Sequence, residues 1–362
     1  MNNNISLPFN FNVPYKTYPS STYPLSIASS HYDISNILAS YYINICFPKL
    51  THNKPSALTP FLRCDHFAKL GLFESEQLED TCDISSEQAV IEWIIESIKN
   101  RWYVYSTVNE YYVIKTESYQ QKHFPHPGLI YGCNFSEKTF NWAAYLYLDN
   151  KRRYNTVCMN FTDAFLALTS MLGERAKYPD WQNIIRVRPC KYLLPQLDLI
   201  NAGKQIGNYL KSRGFYKFGQ DNGISEMPDN EWVKIKANSL YNWGLDTYST
   251  YSEFLINSVH NNIPIDMRST RAFMEHKNIM ERNLALWSGL SSALPHKILA
   301  RKYHSIVQWA HALHLLSLNY NSSGRTKICS DKLIQHVKFW DTIRDDDEYV
   351  LRTIVCGLQM HL

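Results

Sequence analysis

Apolar and polar residues follow two different rhythms along this chain, and the change falls near residue 190. Between Arg101 and Asn160, β-branched and aromatic residues come in short runs separated by turn residues, at 102–108, 111–115, 129–131, 140–148 and 154–159. This pattern predicts a sheet of four or five strands, a meander with hairpin turns at 134–138 and 149–152. Ahead of it, Ser85-Ser86-Glu87-Gln88 has capping-box spacing, and Val90, Ile91, Ile94, Ile95 and Ile98 recur at helical intervals, which predicts a helix to about Asn100. After the sheet, Asn160 or Thr162 caps an expected helix through Leu172, and 197–213 reads as another, closed by Gly214. From Asp246 onward the apolar spacing is three and four almost throughout, with expected helices at 246–260, 266–290, 294–320 and 330–357.

These elements predict an α+β protein in three parts: an extended N-terminal segment (1–30), an antiparallel sheet domain (31–190) and a helical C-terminal domain (191–362). The polar, turn-rich stretch 219–230 is the expected linker or loop.

Composition narrows the function classes. Of 362 residues, 45% are hydrophobic and 19% charged, which excludes a disordered chain. A net charge of +4 built from 37 basic and 33 acidic residues leaves no electrostatic footprint for nucleic acid or a membrane surface. Apolar runs stop well short of the roughly 20 residues that a bilayer span needs. The N-terminus, rich in Asn, Pro, Ser and Tyr, lacks the basic and apolar regions of a signal peptide. The eight cysteines include no C-x-x-C pair, so reduced thiols in a cytoplasmic protein are expected. No Gly-rich phosphate loop, G-x-S-x-G elbow or H-E-x-x-H is present, so neither a cofactor nor a metal is expected.

One stretch carries candidate chemistry: His123-Phe124-Pro125-His126-Pro127-Gly128-Leu129-Ile130-Tyr131-Gly132. A histidine where a loop meets an apolar strand has its backbone held still while its imidazole reaches a neighbouring element. The same position also suits a loop histidine fixed by hydrogen bonds between two prolines.

Taken together, Trp102-Tyr103-Val104-Tyr105, Glu110-Tyr111-Tyr112, His126 followed by Leu129-Ile130-Tyr131-Gly132, and the run from Phe140 to Tyr145 resemble the core of the butirosin-biosynthesis protein H N-terminal family. The resemblance covers roughly residues 25 to 175. It implies a papain-like, C39-peptidase-like sheet domain, and transfer of an acyl group from a carrier-protein thioester to an amine. Trp243 to Tyr248, with Asp266-Met267-Arg268 leading to Glu275-His276-Lys277 and Met280-Glu281-Arg282, is similar to the helical part of members encoded beside nonribosomal peptide synthetases.

Such chemistry requires a thiolate on an N-terminal helix, a histidine to take its proton and a polar group to orient the imidazole. His126 matches the histidine. The expected helix start, Ser29 to Asn36, has Tyr32 or Asp33 in place of a cysteine, and the strand after His126 offers Asn141 as its nearest polar group. Asp33 is therefore the expected partner of His126, as base or nucleophile, with a helix N-cap as its competing role. Cys46 and Cys133 are the alternative thiols, and each also fits as a small buried residue. Arg268, Glu275, His276 and Arg282 are expected to line a groove between sheet and helices and to bind an anionic substrate group, against the competing reading of exposed ion pairs.

The resulting expectation is a cytoplasmic accessory protein of natural-product biosynthesis. It would carry out acyl transfer or amide chemistry on an acyl or peptidyl carrier protein, or on a small-molecule or peptide substrate. The alternatives are a degenerate, non-catalytic partner of a carrier protein or synthetase, and a cysteine peptidase or amidase.

Overall fold

The structure, a computed structural model, describes residues 4–48, 72–78, 83–149, 151–170, 184–191, 195–213 and 241–358. The stretch expected as a linker, 219–230, lies outside the described residues, as does Gly214. The chain divides into two compact units: Met1–Val13, Pro19–Tyr32 and Cys64–Leu194 form the first, and Pro14–Tyr18, Asp33–Arg63 and Pro195–Leu362 the second.

The first unit is built on an antiparallel sheet. Its strands are β1 (Asn4–Ser6), β3 (Phe73–Gln77), β4 (Tyr103–Asn109), β5 (Pro125–Asn134), β6 (Thr139–Leu148), β7 (Lys151–Asn160) and β8 (Ile185–Pro189), in the order β3-β8-β4-β5-β6-β7 with β1 added on β5. The meander and both hairpin turns stand where the alternation puts them. Lys138 and Asp149 take the left-handed conformation that closes the two turns, with φ of 51° and 50°. The run 111–115 does not form a strand. Asn109 accepts the backbone N–H of Tyr111 (3.2 Å) and of Phe124 (3.3 Å), which stops β4 and starts a 3₁₀ turn at Glu110–Tyr112.

The N-terminal segment differs from the extended lead-in expected for 1–30. It contributes β1 and then helix α1 (Pro19–His31), which begins with proline at its first position. Eight successive residues of α1, Ser21 to Ala28, are buried. A helix covered all round shows no amphipathic stripe, so spacing could not reveal it. Two further helices flank the sheet. In α3 (Glu87–Lys99), Ser86 accepts the N–H of Ala89, and in α4 (Phe161–Thr169), Asn160 accepts that of Asp163.

Among its described residues the second unit is helical apart from a two-stranded ladder of β2 (Cys46–Pro48) and β9 (Tyr241–Trp243). It contains α2 (Ser35–Tyr41), α5 (Leu199–Leu210), α6 (Asp246–His260), α7 (Met267–Ser288), α8 (His296–Ser322), α9 (Lys327–Val337) and α10 (Trp340–Gly357). The expected helix 330–357 is two helices. The chain turns at Lys338 and Phe339 without Gly or Pro, leaving Phe339 exposed and sending Trp340 into a ring cluster with Tyr248, Tyr251, Phe273 and Trp309.

At the centre of this unit lies a wholly buried ion pair. Lys277 Nζ stands 2.6 Å from Asp347 Oδ2, and the Tyr209 and Tyr248 hydroxyls donate to the same oxygen at 2.6 and 2.8 Å. Lys277 also faces the rings of Tyr209, Tyr248 and Phe273. Burial pushes the Asp347 carboxyl up, but Lys277 and the two hydroxyls outweigh it and hold the group below its ordinary value. One carboxylate thereby ties α5, α6, α7 and α10 together.

Removing a single partner from such a pair leaves an uncompensated buried charge. Lys277→Met and Asp347→Ala should each cost about 3–5 kcal/mol in urea unfolding, and Lys277→Met/Asp347→Leu should cost clearly less than the two single losses added together.

Candidate active site

The sheet brings three side chains of the first unit, Glu110, Arg152 and Tyr145, around the His126 imidazole. His126 pairs with Val108 across β4–β5. The strand period of two puts Glu110, the residue after β4, on the same side as Val108. All seven residues of β4 are buried, and the Glu110 side chain that follows them is only 6% exposed. Its Oε1 stands 3.2 Å from His126 Nδ1, and its backbone N–H donates to Phe124 O at 2.9 Å, which fixes the approach of the loop entering β5.

On the other side of the ring, Arg152 Nη2 lies 3.2 Å from His126 Nε2. A guanidinium donates and does not accept, so Nε2 presents its lone pair and the imidazole proton sits on Nδ1, facing Glu110. That tautomer is the one a general base needs.

Tyr145 on β6 completes the surround. Its ring meets the imidazole edge to face, with centroids 5.7 Å apart, and carries the Arg152 guanidinium on its face at 5.3 Å. The Tyr145 hydroxyl shares a 2.8 Å hydrogen bond with Thr22 Oγ1 in the first turn of α1. Beside it, the buried Tyr23 hydroxyl donates to Pro127 O (2.9 Å) and Ala143 O (3.1 Å), and Ser26 is bonded to Tyr154 (3.0 Å). Three side-chain anchors within five residues, Thr22, Tyr23 and Ser26, therefore hold α1 against β5, β6 and β7. Two residues beyond His126, Gly128 has the Trp142 indole so close that an added Cβ would come within 2.6 Å of Nε1, so only glycine lets β5 lie flat here.

Burial pushes the Glu110 carboxyl from its ordinary 4.5 up to about 7, against the opposing pull of Arg152 and a hydrogen bond from Ser118. The carboxyl therefore exchanges its proton near neutrality, where a partner of a general base is most responsive.

Several expected site residues serve other ends. The carboxylate against His126 is Glu110. Asp33 belongs to the helical unit, where its Oδ1 accepts from Ser35 N (2.9 Å) and Ser35 Oγ (2.7 Å) ahead of α2, and these bonds hold its carboxyl below the usual range. Asn141 pairs with Gly132, six residues along β5 from His126 and thus about 20 Å away at roughly 3.3 Å per residue; its nearest polar contact is Cys158. Cys133 is buried against β1, which pushes its thiol up to about 11. Cys46 is buried on β2 of the helical unit.

The four residues expected to bind an anion all lie on α7. Arg268 forms a two-toothed pair with Asp266. Glu275 is filled by the Lys16 and Thr17 N–H groups, the Thr17 hydroxyl and Arg271 Nε. His276 is fully buried and donates to Ile43 O at 2.7 Å; burial, with Lys277 adding to it, pushes its imidazole down to about 3, so it stays neutral. Arg282 is exposed. Glu275 and His276 Nε2 are thus engaged by partners within the helical unit.

Comparison with known proteins found no matching family model and no similar curated protein.

Because the folded protein keeps on Glu110 a proton that the unfolded chain releases near pH 4.5, this residue makes stability fall as pH rises from about 4.5 to 7. Glu110→Gln should remove that slope. Relative to wild type the variant should gain up to about 3 kcal/mol between these limits, at about 1.4 kcal/mol per tenfold change in proton affinity. Unfolding measured at several pH values in both proteins checks this, and parallel curves would exclude it.

Proposed function

We propose that the first unit is a papain-like domain of the butirosin-biosynthesis protein H kind, and that the protein transfers an acyl group from a carrier-protein or small-molecule thioester to an amine. The observation that carries this reading is the line Glu110, His126 Nδ1, His126 Nε2: a buried carboxyl beside one nitrogen of an imidazole whose other nitrogen turns its lone pair outward, to Arg152. Base and orienter are two of the three parts of acyl-transfer chemistry.

The third part is supplied by the acceptor. The first turn of α1, held over His126, bears Ser20, Ser21 and Thr22 and no thiol. His126 Nε2 takes a proton from the amine as its nitrogen attacks the thioester carbonyl. The tetrahedral intermediate collapses with loss of the C–S bond, and the imidazolium returns the proton to the departing thiolate. The amide and the free thiol account for every atom. Glu110 as carboxylate stabilises the imidazolium between these two transfers. This one-step route needs no enzyme cysteine.

Incubation with an acyl-carrier thioester and an amine, read by mass spectrometry, tests the reading. His126→Ala should slow amide formation by about 10²–10⁴-fold, and Glu110→Gln should slow it with little change in KM. Turnover unaffected by His126→Ala would overturn the catalytic role. Carrier-protein binding with no product from any donor would select the non-catalytic, synthetase-associated reading instead.

A further inference from the structure

Arg152 occupies the nitrogen that a base must keep available. Its Nη2 donates to His126 Nε2 while its plane lies on the Tyr145 ring. Among the described residues Arg152 has no carboxylate in direct contact, whereas neighbouring Arg153 pairs with Asp149, and Arg186 and Arg188 pair with Glu76 and Glu74. Glu110 feels the charge of Arg152 and is already engaged by His126.

We propose that Arg152 is the specificity element of this site: it binds an oxyanion group of the substrate, a carboxylate or a phosphate, and in turning to that group it releases His126 Nε2 for proton transfer. The proposal rests on His126 acting as the base. Arg152 lies at the end of β7 next to the hairpin, opposite Tyr147, where its side chain is exposed and can swing, while the Tyr145 ring gives it a flat support in both positions. A bidentate oxyanion is a far better partner for a guanidinium than a single ring nitrogen, so the exchange runs toward the anion. Phe124, 40% exposed and stacked 6.2 Å from the imidazole, with Lys122 over its ring, flanks the same opening and offers an apolar wall beside the charge. An uncharged substrate leaves the base occupied; an anionic one exposes it.

The test uses the full-length protein labelled with ¹⁵N in its histidines. Inorganic phosphate and, separately, acetate are titrated against a chloride control at constant ionic strength. The His126 Nε2 resonance should move saturably with one or both oxyanions and stay put with chloride; the arm that saturates at lower concentration identifies phosphate or carboxylate as the group recognised. In Arg152→Gln the half-saturation should rise about tenfold or more, the weight of one charge-assisted hydrogen bond. Arg152→Lys, which keeps the charge and loses the fork, should fall between. An Nε2 resonance unmoved by either oxyanion, or moved equally in wild type and Arg152→Gln, overturns the proposal. Saturation at Arg152 together with His126→Ala that still forms amide leaves the anion site standing and removes the general-base reading, so the two fail separately.

Discussion

A carboxylate taken out of water must be compensated or it gives up its charge, and each unit of this protein is organised around one such group. In the helical unit Asp347 receives an ammonium and two tyrosine hydroxyls on one oxygen and stays ionised. In the sheet unit Glu110 has a histidine at 3.2 Å and a more distant arginine, which is too little to offset its burial, and its carboxyl rises to about 7. The first arrangement places an ammonium and two hydroxyls on Oδ2 alone and leaves Oδ1 without a hydrogen bond among the described residues, yet it holds the charge and ties four helices together. The second is under-compensated, and a carboxyl that keeps its proton up to about pH 7 is the chemical consequence.

How the imidazole is held follows from tyrosines. A chain with 25 of them uses a subset as struts: Tyr23 from α1 to the backbone of β5 and β6, Tyr145 from β6 to Thr22, Tyr154 from β7 to Ser26. Each ring adds buried apolar area and each hydroxyl ends on a partner that would otherwise be an unsatisfied interior polar group. A leucine in any of these places would match the burial but would not fix the register of α1 over His126.

The parts of the fold legible in the sequence are those with a period. The meander from β4 to β7, the caps Ser86 and Asn160 and the long helices of the second unit all carry one. Two elements lack one: α1 is eight buried residues in a row, and β8, half-buried except at Val187, joins the sheet from a run of alternating arginines, Arg186 and Arg188, that lie over Trp102 and pair with β3. The candidate site divides in the same way. His126 was visible because its loop-to-strand position is a local property. Glu110 sits between the strand runs 102–108 and 111–115, where an acid reads as the polar end of a strand, and only the burial of all seven residues of β4 shows that its carboxyl is carried inside. Asp33 stands where the resemblance puts a nucleophile, and there it forms a short Asx turn to Ser35.

Arg152 marks the limit of that kind of reading. Its meaning depends on three strands at once: β5 supplies the ring nitrogen, β6 the aromatic face and β7 the guanidinium. No spacing within any one strand encodes this convergence, since the residues are separated by 7 and 26 positions and meet through register alone. The tautomer of His126 is fixed by the same convergence. A donor-only group on one nitrogen and a carboxyl on the other leave a single place for the ring proton, so the protonation state of the base is written in the sheet register and not in the histidine.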